Sequence, residues 1–287
     1  MAYQNFIPTV WNEGIERELE RLCVFVEDCN RKFEGAVKKK GESVTILGVG
    51  KPSIKAIAKA DRSNDIDDPE EIEDTSVIMY INQVRYFNYM VGDIDKAQAV
   101  NGVMDALEQE TSEALADEID KYIADMAVDS SVPKLYTSAQ KVVSGTAASG
   151  EANVLHVLDA AIQKLYENDV KATTEIVVTI SPRFYTLFKQ AYIDKDTNNS
   201  EMLKNGKVAK YGNVTVKLSN NVSKSSDGTT DNIMIRTKRA IAFAKPLTHT
   251  EAYRPEKKFA DAVKGFVLFD AKVVRPKEVV NINVKYA

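Results

Sequence analysis

Gly48-Val49-Gly50-Lys51 is the segment of this 287-residue chain with the outline of a phosphate-binding loop. Such a loop cradles phosphate with backbone N–H groups and needs the pattern Gly-x4-Gly-Lys-[Ser/Thr]. Position 45 is Thr and position 52 is Pro, which removes a donor, so nucleotide chemistry is not signalled. The two histidines, His156 and His249, stand far apart with no second ligand or nucleophile in register, and core or surface placement is expected for both. Asp227-Gly228-Thr229-Thr230-Asp231 lacks the alternating ligands and terminal glutamate of a calcium loop and reads as a hairpin turn. Cys23 and Cys29 lie six residues apart, a spacing that fits neither a zinc knuckle nor a redox pair, so both are expected as small buried hydrophobes. No catalytic, metal or cofactor site is predicted.

Charge is informative through its distribution. The net charge is −4, yet residues 93–129 hold eleven acids against two lysines, and residues 236–287 hold twelve basic residues against five acids. Opposed surfaces of this kind suit contact between subunits, while the lack of a net basic excess argues against tight nonspecific nucleic-acid binding as a primary role. The 44% apolar content is enough for one or two cores. There is no run of about 18 apolar residues to span a bilayer and no signal-peptide pattern at the start, so a protein that stays in the cytoplasm where it is made, away from membranes, is expected.

The elements follow from periodicity. Residues 1–34 open with Phe6, Ile7, Pro8, Val10 and Trp11, then show a helical pattern through Ile15, Leu19 and Leu22. They hold too few apolar residues for a core and read as an arm whose aromatics bury elsewhere. Residues 43–49 and 77–91 are rich in Val, Ile, Tyr and Phe and read as two strands of a long ribbon. Its tip, residues 61–74, carries eight acids and one arginine. At Gly92 the period becomes helical for about 35 residues, with Asp95 and Gln98 as a capping box. Val100, Met104, Leu107, Thr111, Ala114, Ile119, Tyr122 and Met126 mark the predicted buried face, on a rod of roughly 50 Å.

Beyond Pro133 the pattern is mixed α/β. A low-complexity link (144–150) precedes a helix near 152–168 and a buried strand at 175–180, and Ser181-Pro182 has the order of a helix start. Strands are predicted at 214–218, 233–236, 240–244, 265–274 and 278–286.

The order of these elements resembles the Hong Kong-type capsid fold of tailed bacteriophages. Phe33-Glu34-Gly35 and Gly41-Glu42-Ser43-Val44-Thr45-Ile46 are similar to that family's entry to its extended loop, with Glu42 where Asp is usual. Val91-Gly92-Asp93-Ile94-Asp95 with Gln98 and Ala99 resembles its entry to the spine helix. Further matches are Tyr211-Gly212-Asn213-Val214-Thr215-Val216 with Ser219-Asn220-Asn221, then Ala240-Ile241-Ala242-Phe243-Ala244, Glu251-Ala252-Tyr253-Arg254-Pro255 with Phe259 and Gly265, and Val274-Arg275-Pro276. Each string alone is weak; their order along nearly the whole chain carries the likeness.

The resemblance implies an α+β capsid fold. Its parts are an N-terminal arm (1–34), an extended loop (35–91), a peripheral domain with the spine helix (92–135 and 249–287) and an axial domain (136–248). It implies a non-enzymatic major capsid protein that self-assembles into hexamers and pentamers around double-stranded DNA, with a separate scaffolding protein, a portal, weak nonspecific contact to packaged DNA and room for a decoration protein. The arm motif begins five residues from Met1, so a subunit that works uncleaved is expected. Candidate inter-subunit contacts are Phe6 and Trp11 of the arm, the acidic Asp67, Asp68, Glu70 and Glu71 of the ribbon tip, and the basic Lys257, Lys258, Lys264 and Arg275. Lys272 is a further candidate cation for the tip. The alternative within the same fold is a nanocompartment shell enclosing an enzyme, separable by gene neighbours; an α/β enzyme would need a clustered site that the sequence does not offer.

Overall fold

The computed structural model describes residues 22–33, 43–46, 54, 76–92, 103–193 and 210–286. The arm motif at Phe6 and Trp11, the glycine pair at Gly48 and Gly50, the capping box at Asp95 and the ribbon tip all lie outside the described residues.

Strand β1 (Ser43–Ile46) pairs antiparallel with β2 (Val77–Tyr80), Ser43 opposite Tyr80 and Ile46 opposite Val77. The expected single strand over 77–91 is in fact two. At Ile81–Asn82 the chain leaves β1, and β3 (Gln83–Gly92) crosses to a different sheet, where it pairs with β12 (Ala260–Val273). The crossover is fixed on both sides: Ile81 is fully buried, and the Asn82 N–H donates to the Asp270 carboxylate at 3.1 Å. A further strand, β11 (Ile241–Tyr253), completes this three-stranded antiparallel sheet in the order β11-β12-β3.

Helix α1 (Val103–Asp125) spans 23 residues, about 35 Å at the usual rise. It packs on one face of the three-stranded sheet through Tyr122, whose ring meets Phe269 edge-on at 5.5 Å and whose hydroxyl donates to Asp270 at 2.8 Å. Its buried stripe, carried into the turn that follows, is Ser112, Leu115, Ala116, Ile119, Asp120, Ile123, Ala124 and Ala127, at spacings of three and one. The predicted stripe has the right period: Ile119 is buried and Thr111, Tyr122 and Met126 are half-buried, while the centre of the buried face lies about one residue further along most turns. Ala114 is exposed and Leu107 only half-buried, because Ser112 and Asp120, polar residues, occupy the inner face.

A third sheet is built from β4 (Gln140–Val143), β5 (Glu151–Asn153), β6 (Ile176–Ile180), β7 (Lys210–Tyr211), β8 (Val214–Leu218), β9 (Ser223–Lys224), β10 (Thr230–Thr237) and β13 (Val279–Tyr286). These eight strands run in the order β5-β4-β13-β10-β6-β8-β7, with β9 added on β10. Every residue of β6 is buried, as expected of a strand flanked by parallel β8 and antiparallel β10. Helix α2 (Val154–Glu167) starts where the Asn153 side chain accepts from the Leu155 N–H at 2.9 Å. Helix α3 (Pro182–Ile193) starts as the Ser-Pro pair predicts, Ser181 Oγ accepting from the Phe184 N–H at 3.3 Å.

β11 runs across the 248/249 boundary, and β13, assigned with residues 249–287, lies inside the eight-stranded sheet between β10 and β4. A terminal strand finds its neighbours through long-range pairing, which no local pattern reports. No helix of the described residues is long and apolar enough to cross a membrane.

Candidate interaction surfaces

The N-terminal segment Leu22–Asn30 is held by charged groups taken out of water. The Asp120 carboxylate on α1 accepts from the backbone N–H of Val24 at 2.8 Å and of Phe25 at 3.1 Å. From β10, Arg236 donates to the Phe25 carbonyl at 2.7 Å, lies 5.6 Å from the centre of the Phe25 ring and is 1% exposed. Asn30 then bridges to β11, its N–H on the Ile241 carbonyl (2.8 Å) and its carbonyl taking the Phe243 N–H (3.1 Å). Burial raises the Asp120 carboxyl to about 6 against the pull of those two N–H donors and of Arg236. Nearby, Lys217 makes ion pairs with buried Asp28 (2.8 Å) and with Glu27 (2.6 Å). These contacts tie helix, sheet and arm into one unit.

Both cysteines are free and buried, as the spacing predicts. Burial pushes the Cys23 thiol up to about 12 and raises Cys29 as well, so neither supplies a thiolate. His156 is exposed on α2, and His249 is exposed beside the Phe266 ring at 5.7 Å. The Asp227 segment is the turn between β9 and β10. Ser225 and Thr229 hydroxyls hold the Asp227 carboxyl down at about 2, and Gly228 takes φ 69°. Among the described residues no group of three or more His, Cys, Asp or Glu is placed to hold a metal ion.

The three-stranded sheet presents its other face to two different environments. At one end Ala242, Ala244 and Leu268 are covered by Val44, Ile46 and Met79 of the β1–β2 ribbon and by Ile81. Along the same face the register continues in open rows: Tyr86 beside Phe266 and His249, Asn88 beside Lys264 and Glu251, Met90 beside Ala262 and Tyr253. Tyr86 is 80% exposed, and Phe259 in the hairpin beyond is 86% exposed. Large exposed aromatics at the edge of an otherwise packed sheet mark an interaction surface.

The basic candidates do not form one patch. Lys257 and Lys258 sit in the β11–β12 hairpin, Lys258 reaching the Met90 sulfur at 3.7 Å, and both are exposed. Lys264 is on the open face, paired with Glu251 at 3.1 Å and 4.9 Å from the Tyr253 ring centre. Arg275 lies past the far end of β12, on Glu278 at 3.0 Å, and Lys272 donates to the Ile78 carbonyl at 2.9 Å. Phe6, Trp11, Asp67, Asp68, Glu70 and Glu71 lie outside the described residues. What sequence reading missed is the role of Asp120 and Arg236, and the packing of Phe87 on Gly265, a glycine it matched only as part of a motif. Burial of a charge and the meeting of distant strands leave no local signal.

No protein-family model matches the sequence, and no curated protein matches it. Solved structures do. A structure from Mycobacterium phage Che8 is 25% identical and superimposes with a TM-score of 0.68 over 90% of each chain. The capsid structure of cyanophage P-SCSP1u is 16% identical, TM-score 0.67, over 92% of this chain and 88% of that one. A virus-like particle from Pyrococcus furiosus is 11% identical, TM-score 0.58, over 98% of this chain and 100% of that one. The chain has the α+β fold of tailed-phage capsid structures, as its motif order implied.

Proposed function

We propose that this chain is the major shell subunit of a tailed-phage head, self-associating into hexamers and pentamers that close around double-stranded DNA. The observation that carries the reading is the end-to-end match to phage capsid structures, about nine-tenths of each chain in register with the other. The role is structural, exerted through repeated interfaces and not through a reaction. In the assembled particle the chain sits in the virion shell, built in the host cytoplasm on a separate scaffolding protein, with a portal at one vertex and a decoration protein as an optional addition.

The two sheets support an assignment of the domain roles. The three-stranded sheet with α1 is the peripheral unit, and the eight-stranded sheet with α2 and α3 is the axial unit. The ribbon based on β1 and β2 reaches a neighbouring subunit, which the open row at Tyr86, Phe266 and Met90 is suited to receive. Replacing residues 51–74 by an Asn-Gly turn is expected to leave circular dichroism unchanged while electron microscopy finds no closed shells. Normal shells from the shortened chain would refute the inter-subunit role.

A second reading, an enzyme-enclosing nanocompartment, draws on the match to the Pyrococcus furiosus virus-like particle. The contents of particles purified from the native host decide between them. Nuclease-protected duplex DNA is the expected result, and a stoichiometric protein cargo without DNA would establish the alternative.

A further inference from the structure

We infer that the cleft between the turn at Asn30–Lys32 and the turn at Lys238–Arg239 is a phosphate-binding site for the backbone of duplex DNA. Its volume is about 530 Å³, and among the described residues it is lined by Cys29, Asn30, Arg31, Lys32, Lys238 and Arg239: four cations and no acid. The two turns are some 200 residues apart in sequence and are brought together by backbone hydrogen bonds. On one side Asn30 is pinned to β11 through Ile241 and Phe243, and its side-chain oxygen accepts from the Lys32 N–H at 3.2 Å. On the other, the Ala240 N–H closes the turn onto the Thr237 carbonyl (3.2 Å), and the Ala240 carbonyl accepts from Val274 (2.9 Å) and Arg275 (3.1 Å). The cations therefore project from fixed backbone, so little conformational freedom is lost when an anion arrives.

The acids near this cleft lie outside its lining and orient the cations. Glu278 holds Arg239 at 2.9 Å and Arg275 at 3.0 Å, one carboxylate against two guanidinium groups. Lys238 is shared between Glu175 at 3.0 Å and the buried Asp28 at 3.9 Å. Lys238, Arg239 and Arg275 thus face Asp28, Glu175 and Glu278, and Lys217 also pairs with Asp28 and Glu27. Guanidinium forks and ammonium groups together suit phosphodiester oxygens. On a chain of net charge −4 a single cleft of this kind gives a weak contact, which suits a genome that must enter and leave its shell. The inference rests on the shell reading for its biological ligand, and it places the cleft on the inner surface.

The test uses unassembled full-length subunits and a short fluorescein-labelled DNA duplex, with anisotropy followed over about 50 to 200 mM KCl. The double variant Arg31→Ala/Lys32→Ala is expected to weaken binding several-fold at low salt. It should also flatten the plot of log K against log salt by roughly 2, at about 0.9 for each phosphate no longer neutralised. Lys257→Ala/Lys258→Ala removes the same charge at the β11–β12 hairpin and is expected to change neither quantity. Lys32→Arg, with circular dichroism matching wild type, is expected to retain the slope. An unchanged slope in the first variant, an equal loss in the control, or wild-type subunits that bind inorganic phosphate but not the duplex would overturn the inference. So would a first variant that binds DNA normally yet forms no shells, which would make the cleft a seat for an acidic segment of a neighbouring subunit. Because binding is read before assembly, a chain that builds no shell at all sinks the proposed function without deciding this one.

Discussion

Two buried positions show how single residues set the behaviour of the subunit. Asp120 is 2% exposed, and burial lifts its carboxyl to about 6, above the ordinary carboxylate value of 3.8. The folded chain therefore binds more protons than the unfolded chain between those values, and stability falls as pH rises through that window. Asp120→Asn is expected to remove that slope in urea denaturation between about pH 4 and pH 6; carboxylates such as Glu27, whose acidity is increased by Lys217, act in the opposite sense below the ordinary value of 4.5. An identical pH profile in the variant would show that Asp120 is not the titrating group. Gly265 is constrained by space: a Cβ there would stand 2.5 and 2.7 Å from the Phe87 ring and 2.8 Å from the His249 carbonyl oxygen. Gly265→Ala is expected to destabilise the chain by about 1–3 kcal/mol, as overpacking does. In a Phe87→Leu background the loss should shrink without vanishing, since the carbonyl remains. Full additivity of the two changes would mean that the ring moves aside freely.

At the scale of elements, local rules were the legible ones. The Ser181-Pro182 start of α3, the boundaries of β8 and the turn at Asp227 depend on neighbouring residues, and the sequence pattern places each correctly. The phase of α1 was not legible, because Ser112 and Asp120 interrupt its apolar stripe and their partners, Glu108 and the Val24–Phe25 backbone, are invisible to a period. The division of residues 77–91 between two sheets was hidden for a similar reason. Alternation identifies a strand but not its partner. The corrected phase makes a direct prediction. Ile119→Asp places a carboxylate in the core and is expected to cost several kcal/mol or to leave the protein insoluble. Ala114→Asp, on the predicted inner face but exposed in the structure, should melt within about 1 °C of wild type. Equal damage from both would restore the phase read from sequence.

The molecule as a whole joins a closed core to open edges. Its interior ties arm, helix and both sheets together through Asp120, Arg236 and Asn30, whereas the rows at Tyr86, Lys264 and Met90 and the hairpin at Phe259 are left to solvent. A subunit so rigid inside, with aromatics unburied at its rim, is suited to burying them against copies of itself. The motif order made the fold legible because it samples nearly the whole chain. Of the candidate contacts, Lys264, Lys272 and Arg275 have partners within the subunit that no sequence pattern reports. Electron microscopy of the protein expressed alone and with the proposed scaffolding protein is the most direct test of the central claim. Closed icosahedral shells built from hexamers and pentamers are the predicted result, and folded protein that stays monomeric under both conditions would contradict it.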